Sequence, residues 1–102
     1  MDPAYYELTF SKGPRADQHY FRVYVELNDG DREALRRGDS SELNTRALVQ
    51  RAGILRLLPI GINDDWIRSG RILSRETKTY WDSGIELQLG DDNRKVWIIE
   101  DA

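Results

Sequence analysis

Apolar residues alternate with polar ones at both ends of the chain and fall at helical spacing in its middle, so the period itself predicts the order of elements. In residues 4–10, AYYELTF, Tyr6, Leu8 and Phe10 share one face of an extended segment, and Tyr5, Glu7 and Thr9 share the other. Residues 11–18, SKGPRADQ, form a polar loop with Gly13 and Pro14 as breakers. The next stretch, HYFRVYVEL, is the clearest strand in the sequence. Phe21, Val23, Val25 and Leu27 line its apolar face, with Tyr20, Arg22, Tyr24 and Glu26 opposite. These two segments predict a long-looped antiparallel hairpin.

The period then changes. NDGDREALRRG puts Asn28, Asp29 and Asp31 at a helix start and Gly38 at its end, with Arg36 and Arg37 in the last turn, where the helix dipole favours cations. Only Ala34 and Leu35 give this helix an apolar side, so it is expected to lie shallowly on the surface. Asp39 to Glu42 reads D-x-x-E, a capping-box variant that opens a second helix over roughly residues 40–52, with Leu43, Ala47, Leu48 and Ala52 as its buried stripe and Gly53 as its C′ residue. ILRLLPIGI, residues 54–62, is apolar enough to be a buried strand with Pro59 at its end or edge. Asn63 then caps a third helix that uses Asp64 and Asp65 in its first turn, staples Ile62 to Ile67 and closes at Gly70. The competing reading pairs WIR with RIL as a hairpin through Ser69 and Gly70, but it leaves the two aspartates unexplained.

The last third reads as β. RILSR and TKTYW are predicted strands, IELQL alternates through Ile85, Leu87 and Leu89, and GDDN turns into RKVWII. Apolar residues on both faces of KVWII place that strand in a sheet interior. The expected fold is α+β, with an antiparallel or mixed sheet made from the N-terminal hairpin and the C-terminal strands. Two or three short helices pack on one of its faces.

The 102 residues suit one domain spanning 1–102, and the chain carries no repeat, low-complexity stretch or linker. It contains no cysteine, which points to a reducing compartment, and the cytoplasm is the expected location. The first residues, MDPAYYELTF, lack the basic and apolar regions of an ordinary signal peptide, and no apolar run is long enough to span a membrane. A net charge of -3 argues against a protein coated with phosphate-binding groups. The charge is nevertheless uneven: residues 32–78 hold ten Arg or Lys against six Asp or Glu, while both flanks are acidic. The twelve arginines against three lysines suit planar recognition of carboxylate or phosphate, although a GC-rich genome produces the same bias.

Few residues offer chemistry. Asp64 and Asp65 point about 100° apart on a helix, so they suit a helix start better than a shared ion. Asp91 and Asp92 sit in a predicted turn, where backbone geometry favours them. His19 is the single histidine, which with no cysteine rules out zinc sites built from Cys and His within one chain. No G-x-S-x-G, G-x-G-x-x-G or P-loop pattern is present, and Asp82 with Glu86, Leu87 and Gln88 matches the acidic strand of a metal-dependent nuclease poorly. No metal or cofactor is expected, and the chain reads as a non-enzyme, with an enzyme working through carboxylates alone as the weakest alternative.

Two surfaces remain. If the hairpin buries its Leu, Phe and Val face, then Tyr5, Tyr20 and Tyr24 lie on the other with Arg22 between them, and these residue types are enriched in protein interfaces. Trp66 and Trp97 read as core, whereas Trp81, near a strand end in TKTYWDSG, completes a partner-binding set. The rival surface is Arg32, Arg36, Arg37, Arg46 and Arg51 on the first two helices, which loosely resembles a nucleic-acid-binding helix pair although Glu33, Arg37 and Asp39 stand where that motif wants apolar residues. The expectation is a small protein-binding domain, a regulator, adaptor or inhibitor, with nucleic-acid binding as the alternative. A sheet edge could also serve a homodimer.

Overall fold

The computed structural model describes residues 3–13, 20–38, 45–58, 61–80 and 86–100. Its strands are β1 (Pro3–Ser11), β2 (Tyr20–Glu26), β3 (Ile67–Ser74), β4 (Glu86–Leu89) and β5 (Lys95–Glu100), and its helices are α1 (Asp29–Arg36), α2 (Thr45–Arg51) and α3 (Ile54–Leu57). The strands form one antiparallel sheet in the order β3-β1-β2-β5-β4, an α+β arrangement as expected.

Alternation decides which residues meet. Leu8 stands opposite Val23 and Phe10 opposite Phe21, and Val25 stands opposite Val96 on β5. This face and the helices form the main core, in which Leu48, Val49, Ala52, Ile54 and Leu58 pack with the sheet residues. The rings of Phe10 and Phe21 stack with their centroids 5.3 Å apart. Strand β5 lies between β2 and β4 with both Val96 and Trp97 buried, which is the interior position its sequence predicted.

Helix α1 is capped as its sequence requires. Asn28 Oδ1 accepts from the Asp31 amide at 2.9 Å, and an Asp31 carboxylate oxygen accepts from the Asn28 amide at 3.2 Å. Gly38 follows it in the left-handed region, and Ala34 is buried with Leu35 half-buried, so the helix does lie shallowly. The D-x-x-E stretch proposed to start α2 lies outside the described residues. Gly53 does end that helix, with φ of 63°.

Three expectations are corrected. Residues 54–57 form the short helix α3, because Ile54 and Leu58, four apart, both face the core while Arg56 points to solvent. A short apolar run fits either conformation, and the left-handed turn at Gly53 selects the helix. Residues 63–70 are not a helix and 66–73 are not a hairpin. Asn63 Oδ1 does accept from the Asp65 amide at 2.9 Å, but this caps only one 3-10 turn, Asp64–Trp66, before the chain extends into β3. The outer edge of β1 captures that extended segment, and Gly70 serves inside the strand: a Cβ there would lie 2.7 Å from the Tyr6 hydroxyl. Residues 77–80 of TKTYW belong to a 3-10 turn, Arg75–Tyr80, instead of a strand. The Ser74 hydroxyl bonds to Glu76 and lies 3.4 Å from Thr77 Oγ1, and such local side-chain bonds compete with strand pairing.

Candidate functional site

The face of the sheet away from the helices carries the predicted tyrosines, and the register arranges them in rows. Arg71 on β3, Glu7 on β1, Tyr24 on β2 and Trp97 on β5 are successive cross-strand neighbours. The Glu7 carboxylate is buried and takes Arg71 Nε at 2.7 Å and Nη2 at 3.4 Å. The Tyr24 hydroxyl bonds to Glu7 and accepts from Arg22 Nη1 at 3.1 Å. Tyr5 meets Trp97 edge to face, with centroids 5.5 Å apart and planes at 81°.

Burial settles how much of this row a partner could touch. Tyr5 and Tyr24 are directed to this face as expected, yet they are only 6% and 3% exposed and form a second cluster with Ala4, Leu73 and Trp97. Tyr20 and Arg22 are half-buried. Trp81 and His19 lie outside the described residues. The residue left open at the end of the row is Arg71, whose side chain is 67% exposed. Sequence reasoning missed it because RILSR reads simply as a strand; the signal lay in the opposite charges of Glu7 and Arg71, which pair only once the register is known.

The polar row has a measurable signature. Burial, reinforced by the hydrogen bond and negative charge of Glu7, pushes the Tyr24 hydroxyl up from 10.0 to about 12, against the smaller opposing influence of Arg22. The folded chain therefore holds the proton more tightly than the unfolded chain. This contribution to stability is fully present below about pH 10 and is lost as the pH rises to about 12, an effect of about 2–3 kcal/mol. Tyr24→Phe is expected to cost about 1–2 kcal/mol at neutral pH. It should also flatten the alkaline loss, as urea unfolding at several pH values can measure; an unchanged alkaline slope would remove Tyr24 from the row.

The arginines proposed for nucleic acid are mostly engaged with carboxylates. Arg32 pairs with Asp29 at 3.1 Å, Arg36 with Glu33 at 2.5 Å, Arg46 with Asp65 at 3.0 Å and Arg51 with Asp31 at 3.4 Å, while Arg37 is exposed. The turn that would join the two helices as a motif lies outside the described residues. The acidic pairs are engaged too: Asp91 pairs with Arg56, and Asp92 with Arg94. Among the described residues no group of three His, Asp or Glu side chains is placed to hold a metal ion, and no helix is long and apolar enough to cross a membrane.

Among the described residues, β3 forms one edge of the sheet with a long exposed run. This strand has eight residues, no acidic side chain and no proline, and its positions 68–72 are all exposed. Its pairing with β1 slips near both ends and is regular from Ser69 to Leu73. The other edge, β4, has four residues and runs into the tight turn at Gly90, which docks on the turn after α2 through a hydrogen bond from the Asp91 amide to the Ala52 carbonyl at 2.8 Å. No family model matches the chain, and no curated protein or solved structure matches it either.

Proposed function

We propose that the chain is a non-enzymatic protein-binding domain, a regulator, adaptor or inhibitor, whose contact surface is the β3 edge supported by the tyrosine-bearing row. The observation that carries this reading is the eight-residue edge strand with five consecutive exposed positions. Backbone amides and carbonyls along such an edge are a template for a further strand, and natural edges are usually short, proline-bearing or covered. Tyr24 and Glu7 act from beneath, fixing Arg71 at the rim. The cytoplasm suits a chain without cysteine.

The test is affinity capture from cells of the source organism with nuclease present, using the native chain, Ile72→Lys and Arg46→Glu, each first checked for an unchanged melting curve. Ile72 is on the edge and 37% exposed, and a lysine there is a natural device for blocking strand addition. A partner kept by the native chain and by Arg46→Glu but lost by Ile72→Lys is the expected result. Capture that disappears with nuclease, or that depends on Arg46 and ignores Ile72, would favour the arginine helices instead.

A further inference from the structure

We infer that the segment taken by the β3 edge is an extended acidic one, with acidic and apolar side chains alternating. This deepens the protein-binding reading and rests on it. Within β3, IRSGRILS, the charged residues are Arg68 and Arg71, both exposed. The register puts Arg71 and Ser69 on the face away from the helices, beside Glu7 and Thr9, and Gly70 and Ile72 on the helix side, beside Leu8 and Tyr6.

An added strand would present successive side chains to these two faces in turn. The residue opposite Arg71 would meet a guanidinium, and the next would meet Ile72 and the Tyr6 ring that covers Gly70. Glu7 occupies Nε and Nη2 of Arg71, and a guanidinium has five N–H donors, so a second carboxylate can be taken without displacing the first. Opposite charges placed directly across a strand pair are favourable, and like charges are not.

The same charges argue against a second copy as occupant. Antiparallel pairing of β3 with itself centred on Gly70 would set Arg71 opposite Ser69, which gives the guanidinium no opposite charge. Pairing β3 with β4 of another copy would bring eight residues against four. A second β3 has no acidic residue to set opposite Arg71, whereas a partner strand of opposite charge does.

The test uses the whole isotope-labelled chain and three short capped peptides that alternate Val with Glu, Lys or Ser, followed by amide chemical shifts. The Glu–Val peptide should shift amides of residues 67–74 and of β1. The Lys–Val peptide should bind about tenfold more weakly, with Ser–Val between them. Arg71→Gln, checked by melting, should shrink the Glu-to-Lys ratio about threefold, and Arg68→Gln, which leaves Glu7 paired and is not on the face of Arg71, should leave that ratio nearly unchanged. Equal or tighter binding of Lys–Val overturns the acidic assignment. If Ser–Val binds as well as Glu–Val, the acidic partner falls while strand addition stands. If no peptide moves the β3 amides, or if sedimentation reveals self-association that Ile72→Lys abolishes, an acidic strand at this edge is overturned. The capture experiment then decides separately whether the domain binds proteins by another surface.

Discussion

Replacing Asp31 with alanine is expected to cost about 3–5 kcal/mol, close to the whole stability of many domains of this size. Asp31 and Arg94 have side chains only 2% exposed, and their Nη1 to Oδ2 distance is 2.8 Å. The same carboxylate completes the α1 capping box and accepts from Arg51 at 3.4 Å, while Arg94 also reaches Asp92 at 2.6 Å and the Glu26 carbonyl at 3.4 Å. One buried pair therefore ties the start of α1, the end of α2, the end of β2 and the turn before β5. Removing Asp31 leaves a guanidinium in a dry site with Asp92 as its remaining acidic partner, and it takes away the capping-box bond to the Asn28 amide while the Asn28 cap itself stays. Arg94→Met should cost about 3 kcal/mol, because the buried Asp31 carboxylate then keeps only the Asn28 amide and the longer contact from Arg51. The double variant Asp31→Ala with Arg94→Met should lose clearly less than the sum, since neither member of the buried pair is then left without the other. Urea unfolding of the four proteins completes the cycle. A loss below about 1 kcal/mol for Asp31→Ala would mean that water reaches this pair and that it acts as a surface salt bridge.

Much of this architecture is legible wherever the information is local. The alternation of Leu8, Phe10, Val23 and Val25 gives the strands and their inward face, and Asn28 with Asp31 gives the helix start. Gly53 and Gly38 mark helix ends because a left-handed residue is a local requirement. What stays hidden depends on distant partners. Asp31 reads as a cap, but its second role depends on Arg94, 63 residues away. Asn63 with the two aspartates favours a helix by every local criterion, and the chain still becomes a strand because β1 offers an edge to pair with. The direction of Tyr5 and Tyr24 follows from alternation, whereas their burial follows from Trp97 and Leu73, which other strands bring to the same face. The candidate surface moved for the same reason: the tyrosines support the row, and the exposed end belongs to Arg71, whose role is set by the register alone.

Phe10→Ala should be the most damaging single truncation in the core, at about 3–5 kcal/mol, the usual range for removing a buried phenylalanine. The sequence contains two phenylalanines, and they stack on each other between the sheet and the helices, so no other aromatic ring of that kind is available to fill the gap. Phe10 also lies where β1 pairs with Phe21 on one side and with Ile67 on the other, so its side chain holds the start of β3 as well as the hairpin. Phe10→Leu keeps most of the volume and should cost about 1–2 kcal/mol, which separates cavity formation from loss of the stack. Unfolding followed by backbone circular dichroism and by tryptophan fluorescence, in a background with Trp66→Phe and Trp81→Phe, adds a second readout, because Trp97 is buried in the cluster on the opposite face. If the sheet transmits the defect, both signals move together to lower denaturant. If fluorescence holds its midpoint while the backbone signal shifts, the two faces unfold separately. The row of Tyr24, Glu7 and Arg71 could then keep its geometry in a chain whose helices had already loosened.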